Sequence, residues 1–156
     1  MKYKQLTREQ FEELHEEFAN FLATQQIDAK EWAVAKEENP KLVEEELNLF
    51  SDTVWEEVLQ NVNYLEHFSN TSINLFKCEA SKVYRIVVQA NKPNFSFLNT
   101  NDYQWFIDNT KNEAIEFFKG EKSYSKERNM ELFNLIEKGS VISNGELYES
   151  VITLIK

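Results

Sequence analysis

The sequence predicts a predominantly helical α+β fold: N-terminal antiparallel helices, a small two- to three-stranded antiparallel sheet at about 73–98, then three C-terminal helices. Three observations carry that reading. One six-residue phrase occurs three times, as Leu6-Thr7-Arg8-Glu9-Gln10-Phe11, Ile27-Asp28-Ala29-Lys30-Glu31-Trp32 and Ile142-Ser143-Asn144-Gly145-Glu146-Leu147. Each copy reads as a capping box inside a hydrophobic staple and marks a helix start. Only 3 Gly and 2 Pro stand among 156 residues, which favours long helices with few turns. Between 73 and 89 the helical spacing gives way to runs rich in β-branched and aromatic residues.

The first helix is expected over 8–24, with Phe11, Leu14, Phe18, Phe21 and Leu22 on one face. A short second helix starts at Asp28. Asn39-Pro40 ends it and opens a third, because Pro suits the first helical position and disfavours helix in the residue before it. Phe50-Ser51 marks either a bend or a fresh start. From there Trp55, Val58, Leu59, Val62 and Leu65 predict helix to about residue 67, and a loop over 68–72. Residues 73–79 and 82–89 read as a hairpin, and 95–98 as a short third strand. A helix over 102–119, closed by Gly120, is followed by one over 126–138, capped by Ser125 and ended by Gly139. The last helix begins at Ser143. Nothing in composition marks a linker, so the chain reads as a single domain over 1–156.

Charge is unevenly placed. Residues 9–66 contain sixteen acidic side chains against three lysines, whereas 79–156 are close to balanced. An acidic half repels phosphate backbones, so direct nucleic-acid binding is not expected; the expectation is a protein partner, for which a basic one fits the charge, or self-association. The single Cys rules out an internal disulfide and suits a reducing compartment. No signal-like or membrane-length apolar run is present, so a cytoplasmic protein is expected.

Motifs for chemistry are sparse. Glu12 and His15 have the Glu-x-x-His spacing of di-iron bundles, but only one copy occurs, and Glu12 faces water in this register. With two His and one Cys no metal site is assigned. Cys78 shares a strand face with Phe76 and reads as a packed thiol. The three glycines stand apart, so no phosphate-cradling loop is read, and no cofactor or catalytic residue is assigned.

Two features remain as partner-binding candidates. Glu12, Glu13, Glu16 and Glu17 form an acidic helix face. Trp105 points about 180° from the Tyr103/Phe106/Ile107 stripe, as an interface anchor does, unless the 92–98 segment or another helix covers it.

The segments 21–32, Asn39-Pro40, 49–55 and Tyr64-Leu65-Glu66 resemble a family of small bacterial proteins known only as a domain of unknown function. The resemblance implies a stand-alone bacterial cytoplasmic domain and brings no activity, cofactor or site residues. The expectation is a non-catalytic interaction or regulatory module. The alternatives are an acidic mimic of nucleic acid, or a small ligand-binding protein or enzyme with an aromatic pocket between the sheet and the 102–119 helix.

Overall fold

The computed structural model describes all of residues 1–156, which fold as two compact units, Met1–Gln60 and Asn61–Lys156.

The first unit is helical: α1 (Arg8–Glu13), α2 (His15–Thr24), α3 (Ala29–Glu38) and α4 (Pro40–Gln60). Its caps form where the sequence places them. The Thr7 hydroxyl accepts from Gln10 N at 3.2 Å, and Gln10 Oε1 accepts from Thr7 N at 2.8 Å. Asp28 Oδ1 accepts from Glu31 N at 2.8 Å, and Asn39 Oδ1 from Leu42 N at 3.3 Å. The expected helix over 8–24 is broken at Leu14, where φ −103° and ψ 25° leave the helical range. His15 Nδ1 lies 3.0 Å from the Glu12 carbonyl, so the ring serves a carbonyl released at that break. Phe18 and Phe50 have ring centres 5.0 Å apart, with Phe11, Phe21 and Trp32 packed around them.

At Ser51 α4 does not restart but runs on to Gln60. The buried Ser51 hydroxyl donates to the Leu47 carbonyl at 2.7 Å and accepts from Leu6 N at 2.9 Å, which fixes the N-terminal arm against α4. Asp52 extends that tie by accepting from Lys2 N and Tyr3 N. Burial and the hydrogen bond to Glu56 push the Tyr3 phenol up to about 12.

The second unit is built on a five-stranded antiparallel sheet, not a two- to three-stranded one. The strands are β1 (Tyr64–Phe68), β2 (Ser72–Cys78), β3 (Lys82–Ala90), β4 (Ile115–Ser123) and β5 (Val141–Ser143), in the order β4-β3-β2-β1-β5. Helices α5 (Thr100–Asp108), α6 (Arg128–Glu137) and α7 (Glu146–Ile155) lie between and after the strands. The hairpin forms as expected, with Cys78 opposite Val83 and Leu75 opposite Ile86.

Four expectations fail here. The helix ends at Gln60, and 64–68 is strand, because Asn61 and Asn63 interrupt the run that carries the apolar stripe. Residues 95–98 form no strand; Phe97 N donates instead to the Asn70 carbonyl at 2.9 Å. The 102–119 helix stops at Asp108. Asn109 Nδ2 there bonds the Trp105 carbonyl, and Asn112 Oδ1 accepts from Ala114 N, so both asparagines turn the chain into β4. Gly120 therefore lies within a strand and stops no helix. Finally, Val141–Ser143 pairs with β1, so α7 starts at Glu146.

Alternation along the strands defines two faces. One carries Ile73, Leu75, Ile86, Val88 and Ile115, sealed by Phe106 of α5 and by Tyr148 and Val151 of α7, with Phe95 and Phe97 filling the gap. Gly145 precedes α7 with φ +83°, and a Cβ there would lie 2.5 Å from the Tyr64 ring. That ring cannot retreat freely, since Tyr64 Oη donates to Glu149 at 2.6 Å and Lys77 Nζ holds the same oxygen at 3.1 Å. Gly145→Ala combines a left-handed backbone with a steric clash, so urea unfolding is expected to show a loss of about 2 kcal/mol or more. A loss below about 0.5 kcal/mol would contradict this placement.

Candidate functional site

The opposite face of the sheet carries the candidate site. The registers place its outward side chains in four rows. His67, Asn74, Val87 and Phe118 form one row, and Leu65, Phe76, Arg85 and Gly120 the next. Cys78, Val83 and Lys122 form the third, and Ser72, Gln89 and Glu116 form a polar fourth beyond the Phe118 row. Helix α6 lies over part of this face, contributing Asn134, Leu135 and Lys138, and the 124–126 segment closes one side. Between them is a half-open cavity of about 880 Å³, within the range of small-molecule sites.

Its floor is apolar and its walls are basic. Phe76 and Val83 are buried, while Phe118 stands 49% exposed at the open end. Arg85, Lys122, Lys126 and Lys138 bring cations to the space and Glu131 a carboxylate; Lys119 and Glu121 also border it but lie opposite Ile86 and Tyr84, so their side chains turn to the other face. Arg85 stands in the middle of the floor. Its Nε donates to Asn74 Oδ1 at 2.9 Å, as does Nη2, and its Cζ lies 5.8 Å from the centre of the Phe76 ring. No carboxylate pairs with it, so Asn74 holds the guanidinium in place while Nη1 keeps its donors for another acceptor. Gly120 lies opposite Arg85 on β4 and has nothing within 4 Å of where a Cβ would be, so the floor there is open.

Glu131 is committed elsewhere. Its Oε1 accepts from Ser125 N at 2.7 Å, from Lys126 N at 3.1 Å and from the Ser125 hydroxyl, and its Oε2 lies 3.9 Å from Lys122. Burial opposes ionisation at Glu131, but these donors outweigh it and hold the carboxyl below its ordinary range. The carboxylate thus shapes the wall and offsets Lys122, while Arg85 keeps no carboxylate partner. Ser125 acts through Glu131, and the residue at the start of α6 is Glu127. Further along, Arg128 Nε donates to the Glu79 carbonyl at 3.0 Å and its Nη2 to those of Val62 and Cys78. The Tyr124 hydroxyl also reaches Glu79 O, at 2.8 Å, so α6 and its approach are clasped to the β2–β3 turn.

The residues singled out from sequence lie elsewhere. Glu12, Glu13, Glu16 and Glu17 are all exposed on α1 and α2; Glu12 faces Arg8 at 3.5 Å. Glu12 and His15 thus turn to separate partners. Trp105 is half-buried, 5.9 Å from the Phe95 ring, with the Lys92 ammonium 3.7 Å above its ring centre. The 92–98 segment therefore covers it, and a partner would reach its face only by displacing Lys92. The aromatic residues between the sheet and α5 form packed core: Phe97 and Phe106 meet edge-on at 5.3 Å, and Phe106 is 0% exposed. Cys78 is buried, and burial pushes its thiol up to about 11. The basic cavity was missed. Its available signal was the alternation Val83-Arg85-Val87, which puts a cation between two apolar neighbours on one strand face.

Fold and site together define an α+β protein in which a helical unit precedes a five-stranded sheet with one sealed face and one concave, cationic face. The chain belongs to a family of unknown function, DUF6495, whose profile matches residues 1–156. No curated protein and no solved structure matches it. No helix is long and apolar enough to cross a membrane.

The Glu131 carboxyl gives a direct test of the wall. A depressed folded-state pKa adds stability that is complete above the ordinary carboxylate range and lost as pH falls through the folded value. Ser125→Ala removes one donor and should lower stability near neutrality, with the gap to wild type closing in acid. Urea titrations at several pH values read this directly; a gap constant across pH would contradict it.

Proposed function

We propose that this protein is a non-catalytic binding module of regulatory type whose C-terminal unit takes an anionic ligand in the sheet-face cavity. The observation that supports this best is Arg85: a cation with no carboxylate partner, fixed by Asn74 at the centre of an apolar floor. Lys122, Lys126 and Lys138 reinforce its charge, and the wall carboxylate Glu131 is engaged with the Ser125 and Lys126 backbone and faces Lys122. The Arg85 side chain is exposed, and a guanidinium with free donors in a concave site is suited to a carboxylate or phosphate.

The acidic helices support a second binding surface within the same reading. Glu13, Glu16 and Glu17 are exposed and paired with no cation, so a basic protein partner is proposed for that face. Replacing them with Gln should weaken capture of that partner at low salt and leave ligand binding unchanged. The buried thiol and the charge balance agree with a cytoplasmic setting, which is part of the proposal.

Thermal unfolding in sodium phosphate, against sodium chloride of matched ionic strength, tests the anion site. At about tenfold saturation, wild type is expected to gain about 4 °C or more, and Arg85→Gln far less. Equal shifts in both proteins would remove Arg85 from the site, and no shift in either would contradict anion binding.

A further inference from the structure

We infer that the ligand of this cavity is amphiphilic: a single anionic head group on Arg85 with an acyl-like apolar chain along the floor toward Phe118. The inference rests on the anion-binding reading and extends it to a chemical class.

The register carries the argument. Arg85 is flanked along its own strand by Val83 and Val87, and across strands by Phe76 and Gly120. The cation that Asn74 fixes therefore stands, itself exposed, among apolar neighbours, and a fully polar anion bound to it would leave those neighbours facing water. The lysines stand on the rim, at Lys122 and Lys126 and at Lys138 of α6. They would contribute long-range attraction, while Arg85 with its free Nη1 contributes the directed hydrogen bonds. Phe118 supports the direction of the chain. It is an aromatic side chain 49% exposed on an edge strand, one row away from Arg85 and beside Val87. A chain laid from Arg85 past Val87 would cover it. Gly120 supports the fit, since any larger residue opposite Arg85 would fill the space the chain needs. The volume, about 880 Å³, suits one such molecule and not a folded partner.

The test is calorimetric titration of the full chain with octanoate, acetate, octanol and octyl phosphate, all below micelle formation. Octanoate should bind about tenfold or more tighter than acetate, which lacks the tail, and than octanol, which lacks the charge. Arg85→Gln should reduce octanoate to the level of octanol. Gly120→Trp should abolish octanoate binding by filling the floor, and Gly120→Val, a good strand former, should weaken it in the same direction. Circular dichroism of both variants checks the fold. Octyl phosphate tighter than octanoate would support the inference and identify a phosphate head; the reverse order would identify a carboxylate. Octanoate no tighter than acetate would overturn the amphiphile and leave the anion reading intact. Octanoate affinity unchanged in Arg85→Gln and Gly120→Trp would overturn the inference by placing the ligand elsewhere. No binding of any of the anions would end both readings.

Discussion

The cross-strand pairs Ile73–Val88 and Leu75–Ile86 at the centre of the sheet decide everything else in the second unit. All four side chains are buried against α5 and α7, within a cluster that includes Phe106 and Val151. A one-residue slip of β3 would turn two of them outward and bring Arg85 into the core. Exposing such residues costs about 1.5–3 kcal/mol each, before the buried charge is counted, against a total stability of about 5–15 kcal/mol. The register is therefore not negotiable. With it come the positions of Phe76, Arg85 and Gly120 in one row on the other face. The site is thus a by-product of core packing, set by the same alternation that seals the opposite side.

The surroundings of that face follow from a few polar clasps. Arg128 gathers the carbonyls of Val62, Cys78 and Glu79, and Glu131 gathers Ser125 and Lys126. Buried or half-buried polar groups of this kind are satisfied by their neighbours and so fix the approach to α6. Gly139, with φ +115°, lets the chain turn against His67 at the far end of the same helix; a Cβ there would come within 3.1 Å of Nε2. The walls are thereby tied to the sheet, and Lys122 and Lys126 stand exposed at the rim. A guanidinium held by Asn74 and an exposed cationic rim suit the proposed binding of an anion.

Local signals made much of the fold legible. The Thr7, Asp28 and Asn39 caps, the 73–89 hairpin and the last two helices all follow from short-range chemistry. The third copy of the repeated phrase shows the limit of such signals. Ser143 bonds Gly145 N instead of forming a box, because Val141–Ser143 is claimed by β1. Strand β4 was hidden for a related reason. It is an edge strand whose exposed Lys119, Glu121 and Lys122 break the apolar alternation, as edge strands do. Its Phe117 and Phe118 also fall at helical intervals from Ala114, so the run mimics a helix until Asn109 and Asn112 are seen to turn the chain. Strand β1 was masked by Leu65, which prolongs the stripe of α4 in sequence but pairs with Phe76 in space. The cavity needs β4, β3 and α6 together, so no window of sequence contained it.

The central claim is that ligand recognition belongs to the concave face of the sheet and is organised by Arg85. Nuclear magnetic resonance of the labelled full chain during titration with octanoate locates binding most directly. The account predicts that the largest shifts fall on the Gly120 and Phe118 amides and on the Arg85 side-chain Nε, with the core face around Tyr103 and Tyr148 nearly still. Shifts concentrated on that core face, or on the α1–α2 helices around Glu13 and Glu17, would contradict it.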